Sequence, residues 1–164
     1  MSATVPLAVY IQENYSEQSL PRRSLWEEWF QKWLDALKTE LPEAAEYELT
    51  LCLSDDQEIQ ALNAQYREKN QPTDVLAFAA LETPFPDQST IFGTQEPLYL
   101  GDIIISVETA QQQAQERQIS LTQELRWLAV HGLLHLLGWD HPDEASLNKM
   151  LAQQETLLVM SGHK

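Results

Sequence analysis

Three of the four histidines in this chain fall in one short run, His131-Gly-Leu-Leu-His135-Leu-Leu-Gly138-Trp-Asp-His141. Two residues four apart on a helix sit about 40° apart around its axis and roughly 6 Å apart along it, so both imidazoles can point at one ion. Gly138 comes where the periodic apolar pattern stops. A glycine there can take the left-handed conformation that ends a helix and turns the chain back, which carries His141 toward the same point. Three neutral imidazoles leave a tetrahedral Zn²⁺, or a related divalent metal, with an open fourth position, the arrangement of a catalytic and not a structural site.

Either His131 or His135 alone would read as a core residue on an apolar helix. Three at these intervals, followed by a helix-stop glycine, read as a ligand set for one zinc ion per chain. The spacing is that of metzincin peptidases, which carry glutamate directly after the first histidine as general base. Here Gly132 occupies that position, and Met150 lies in a helical stretch that offers no Met-turn. Metal binding survives the difference, and the peptidase mechanism does not.

The helix that carries the histidines opens at Ser120-Leu-Thr-Gln123, a capping box, and is apolar almost all round from Leu125 to Leu137. Such a helix lies at the centre of a domain. Ahead of it, Val5 to Ile11 reads as an edge strand, because Pro6 cannot donate to a ladder. Ser24-Leu-Trp-Glu27 reads as another capping box, starting a helix that runs to Leu41-Pro42 with Trp26, Trp29, Phe30, Trp33, Leu34 and Leu37 on one face. Tyr47 to Leu53 is a strand; Asp55 and Asp56 cap a helix that turns Ile59, Leu62 and Tyr66 inward and ends near Arg67 and Lys69. Val75 to Phe78 is a short buried strand, and 82 to 97 is a proline-containing surface loop. Leu98 to Ile105 is a strand in which Gly101 marks a bulge or a close backbone approach. A glutamine-rich helix follows from Ser106 to Gln118. Pro142 at a first helical position starts the last helix, with Leu147, Met150, Leu151, Leu157 and Leu158 buried and a frayed tail at His163. With no internal repeat or linker, the order predicts one α+β domain over residues 1 to 164, a mixed sheet packed by about five helices with the histidine helix central.

Length and composition agree. A chain of 164 residues, 43% hydrophobic with five tryptophans, buries a core without staples. One cysteine, Cys52, excludes an internal disulfide framework and reads as a small buried strand residue in a reducing compartment. There is no basic segment followed by an apolar one at the start, and no apolar run of the roughly 18 residues that a membrane span requires, so the expectation is a cytoplasmic protein with no membrane partner. The net charge of -15 argues against a broad electropositive surface for duplex nucleic acid.

Three further blocks join the histidine run. Asn63-x-x-Tyr66-Arg67, Pro72-Thr-Asp74-Val-Leu-Ala-Phe78 and Leu100-Gly-Asp102-Ile-Ile-Ile-Ser106, in this order before His131, resemble the bacterial rRNA maturation factor family YbeY. The chain departs from that family's usual pattern at Ala77 and Ala79, where serine and proline are usual. The resemblance implies a single-domain, metal-dependent endoribonuclease in which His131, His135 and His141 bind zinc and Arg67 acts in catalysis. It implies cleavage of single-stranded RNA in ribosomal RNA maturation, at the 16S rRNA 3′ end, with a part in ribosome quality control and with ribosomal particles or ribosome-associated proteins as partners.

On the residues alone, Arg67 is equally a helix-terminal cation suited to the dipole, Asp74 belongs to a turn, and Asp140 either orients an imidazole or caps a turn. In place of the missing general base, metal hydroxide, the substrate itself or a distant carboxylate such as Asp102 could serve. Two other classes remain open: a hydrolase of another substrate at the same metal site, and a ribosome assembly factor that uses zinc only for stability.

Overall fold

The structure, a computed structural model, describes residues 4–15, 20–80 and 97–162. Its sheet has the order β1-β2-β4-β3, built from β1 (Leu7–Glu13), β2 (Glu46–Ser54), β3 (Val75–Ala79) and β4 (Pro97–Ser106). β1 and β4 run parallel to β2, and β3 pairs antiparallel with β4, so the sheet is mixed. The helices among the described residues are α1 (Arg23–Ala36), α2 (Asp56–Arg67), α3 (Val107–Arg117), α4 (Leu121–Leu136) and α5 (Glu144–Met160), with a 3₁₀ turn at Lys38–Glu40. The chain is an α+β fold. The segment read as a surface loop, 82 to 97, lies outside the described residues apart from Pro97, and so does His163.

Period two in the strands divides the molecule in two. Leu49, Leu51, Leu53, Ile103 and Ile105 face the main core with α1, α4 and α5, while Cys52 and Ile104 face α2 with Ile59 and Leu76. The aromatic stripe of α1 supplies the largest fully buried side chains of the main core. Trp26, Phe30 and Trp33 are fully buried, each stabilising the fold by about 2–3 kcal/mol on transfer grounds. α4 is buried along most of its length, as its all-round apolarity requires.

Several boundaries differ from the sequence reading. α1 begins one residue before Ser24, and Arg22 takes the extended cap position with no side-chain bond. Ser24 therefore stands inside the first turn, where its hydroxyl cannot serve as the cap. The helix also ends at Ala36, with the 3₁₀ turn filling the gap to Leu41 and Pro42. Pro142 precedes the last helix, because Asp143 caps it in a box with Ser146. Leu151 on α5 is 37% exposed and Tyr66 on α2 is 61% exposed, so neither faces inward.

Gly101 carries both features expected of it. The β2–β4 register skips Leu100, which bulges between Tyr99 and Gly101. Gly101 has φ +141°, and a Cβ there would stand 2.2 Å from the Phe78 carbonyl oxygen and 2.8 Å from Leu136 Cδ2. β3 and the end of α4 thus close on a position that only glycine fills. Gly101→Ala should destabilise the protein by about 2–4 kcal/mol, read as a lowered denaturation midpoint.

A buried cation ties α4 to α5. The Arg126 guanidinium donates to the carbonyls of Leu158, Ser161 and Gly162 at 3.2–3.4 Å and lies 4.7 Å from the Trp29 ring centroid. A cation over the carbonyl end of a helix offsets its dipole, and this one fixes where α5 lies against the histidine helix.

Candidate metal centre

α4 is capped as its sequence requires. Ser120 accepts from the Gln123 amide, and the Gln123 side chain accepts from the Ser120 amide. At the other end Gly138 has φ +95°. Its N–H donates to the His135 carbonyl at 3.0 Å, and the Trp139 N–H donates to the Leu134 carbonyl at 3.0 Å. This 5→2 and 6→1 pair is the Schellman stop, and it returns His141 toward the last turn of α4.

The three histidines predicted to share an ion are brought together. Their ligand nitrogens all lie within 4.8 Å of one another, and they could hold a metal ion. The His131 and His135 Nε2 atoms are 3.1 Å apart. Two nitrogens each about 2.0–2.1 Å from one tetrahedral ion would stand about 3.3 Å apart, so the pair already has a chelating separation. His131 and His135 are half-buried, whereas His141 is exposed on the turn. Burial, then the neighbouring imidazoles His131 and His141, push the His135 pKa down to about 4. It is therefore neutral at pH 7, with a lone pair to give.

Gln154 was not legible as part of this site. Fully buried on α5, its carbonyl accepts from His131 Nδ1 at 3.0 Å. With the proton held on Nδ1, Nε2 is left as the lone-pair nitrogen facing His135. Partners of this kind set ligand orientation, so Gln154→Leu should weaken Zn²⁺ affinity about 10–100-fold in a chelator competition. A signal existed: glutamine at the inward period of an apolar helix demands a buried partner.

His131 and His135 open on a cleft of about 630 Å³ at the β3 edge, lined also by Asn63, Arg67, Lys69, Asp74 and Asp140. Arg67 donates to the Ala77 carbonyl at 2.7 Å, and its guanidinium carbon lies 5.4 Å from the Phe78 ring centroid. α2 ends there because Glu68 takes the left-handed conformation, which hangs Arg67 over the edge strand. Asp74 accepts from the Val75 amide and from Gln113, the turn role expected of it. The Asp140 carboxylate accepts from the His141 amide at 2.8 Å and so shapes the turn. Asp102 is elsewhere, in a second cavity on the α2 face of the sheet.

Gly132 has a steric reason. A Cβ there would come within 2.7 Å of Ile103 Cγ2, because α4 presses its glycine face onto β4. No side chain stands where metzincins keep their glutamate.

Fold and site together define an α+β protein in which three convergent imidazoles stand beside an open cleft that also holds an arginine. The chain belongs to the YbeY family: residues 10–162 match the family described as Endoribonuclease YbeY. Among curated relatives, Endoribonuclease YbeY of Trichormus variabilis is 59% identical over 139 residues, 85% of this chain and 78% of that protein. Endoribonuclease YbeY of a Picosynechococcus species is 60% identical over 148 residues, 89% of each. In fold, the chain is similar to a solution structure of a Thermotoga maritima protein, with TM-score 0.54 and 23% identity over 93% of this chain and 91% of that one.

Proposed function

We propose that this chain is a metal-dependent endoribonuclease of single-stranded RNA. The reading is carried by one observation: three imidazole ligand atoms lie within 4.8 Å of one another, and two of those imidazoles, His131 and His135, line the same cleft as Arg67. The names of the relatives, all endoribonucleases, support the choice of RNA over other phosphodiesters.

His131, His135 and His141 would hold one Zn²⁺ or a similar ion. When bound, such an ion supplies Lewis acidity, polarising a phosphoryl oxygen and acidifying water. The chain's own residues do the rest. Gln154 keeps the His131 proton on Nδ1. Arg67, braced by Ala77 and Phe78, keeps further N–H groups to grip two phosphate oxygens as charge builds on them. Lys69 adds a second cation to the cleft wall.

The proposed setting is ribosomal RNA maturation in the cytoplasm, at the 16S rRNA 3′ end, and ribosome quality control. No helix among the described residues is long and apolar enough to cross a membrane. The chain carries 10 Lys and Arg against 25 Asp and Glu, which leaves few donors for reading RNA, so ribosomal particles or their proteins would supply specificity.

Metal removal tests the reading. Protein dialysed against a chelator should lose cleavage of end-labelled single-stranded RNA and regain it on adding Zn²⁺. Cleavage that persists in the demetallated protein would refute the metal-dependent mechanism.

A further inference from the structure

The second cavity, also about 630 Å³, lies on the α2 face of the sheet and is separated from the metal cleft by Arg67 and Phe78. Its rim is aromatic. Tyr66 stands 61% exposed, edge-on to Phe78 with ring centroids 5.4 Å apart, while the Arg67 guanidinium lies 5.4 Å from the same Phe78 ring. An exposed aromatic ring beside a phosphate-gripping cation offers a face on which a base can stack.

The floor is polar and acidic. Asn14 donates to Glu58 Oε1 at 3.1 Å and Ser54 donates to the same oxygen. Tyr99 donates to Asp102 Oδ1 and accepts from the Thr50 hydroxyl. Each carboxylate is thus anchored through one oxygen, and its other oxygen has no hydrogen-bond partner among the described residues. Burial and the Asp102 contact push the Tyr99 pKa up to about 12, so the phenol stays a neutral donor. Among the described residues, no lysine, arginine or histidine lines the cavity. A phosphate is repelled there, and a flat group with hydrogen-bond donors on its edge is complementary.

We propose that this cavity is a nucleobase subsite: the base next to the phosphate held at Arg67 stacks on Tyr66 and presents an exocyclic amino group to Glu58 and Asp102. The inference rests on the nuclease reading and deepens it. Cytosine, adenine and guanine carry such a donor; uracil offers a carbonyl oxygen in its place and meets two acceptors. The strand therefore crosses the Arg67 ridge, with phosphate on the metal side and base on the α2 side.

Zinc-loaded wild type, Tyr66→Leu, Tyr66→Trp and Asp102→Asn would be assayed on end-labelled oligocytidylate and oligouridylate. The wild type should prefer cytidine, by about fivefold in kcat/KM. Tyr66→Leu should raise KM about tenfold on both strands, and Tyr66→Trp, which keeps a stacking face, should restore it. In Asp102→Asn, Tyr99 still finds an acceptor and the new amide can donate to uracil, so the cytidine preference should shrink. A Tyr66→Leu enzyme with unchanged KM overturns the subsite and leaves the nuclease standing. So does loss of binding to ribosomal particles without any change on free RNA, which would make the cavity a protein-docking surface. A zinc-loaded wild type that cuts neither strand overturns the nuclease reading itself, and the subsite with it.

Discussion

His135→Ala, purified in parallel with the wild type, should lose both zinc and RNA cleavage while remaining folded. His135 sits in the last turn of α4 with its Nε2 3.1 Å from that of His131. Its removal leaves one half-buried imidazole and one on an exposed turn, with no chelating pair. Loss of a coordinating side chain should cost more than the 10–100-fold typical of outer partners, so zinc affinity should fall by more than about 100-fold. Cleavage should fall to background with it. The fold should survive, because α4 is held by Leu125, Leu128, Leu133 and Leu134 in the core and not by the imidazoles. Zinc content by elemental analysis, circular dichroism and end-labelled RNA cleavage read the three consequences separately. Equal cleavage by variant and wild type would point to a contaminating nuclease.

Arg67→Ala separates the chemistry from the metal. Arg67 makes no contact that holds the imidazoles in place; its anchors are the Ala77 carbonyl and the Phe78 ring on the edge strand. Zinc content should therefore match the wild type. Stability should fall by only about 1 kcal/mol, since the hydrogen bond and the cation–π contact are both exposed. Cleavage should fall about 10²–10³-fold in kcat, the usual loss when a preorganised donor to developing charge is removed. Arg67→Lys should recover a small part, because an ammonium supplies charge without the planar fork that grips two oxygens. Unchanged cleavage in Arg67→Ala would remove this residue from the mechanism and leave it as the helix-terminal cation its position equally suits.

What the sequence determined here is what is local along the chain. The four-residue interval of His131 and His135 follows from helix period, and the turn toward His141 follows from a glycine that can adopt positive φ. The Ser120 box, the Asp55 cap and the strand from Tyr47 to Leu53 are of the same kind, each fixed by a few neighbouring residues. Their energies are settled within one or two turns, so pattern and spacing suffice.

The tertiary structure decided the matters that depend on which surfaces meet. Tyr66 has the right period for the buried face of α2, yet it stands exposed at the Arg67 ridge, because the sheet edge at β3 ends beneath it. Gln154 and Arg126 are polar residues buried against partners 23 and 35 residues away in sequence, His131 and Ser161. A polar residue on a buried face signals that it needs a partner, but nothing local says which one. Asp102 within β4 and Asp74 just before β3 are both acidic residues of the sheet region, but strand alternation and the turn send one to the α2 face and keep the other in the metal cleft. A side chain's secondary structure is set by its neighbours in sequence. Its chemical surroundings are set by packing, where long-range burial outweighs local preference.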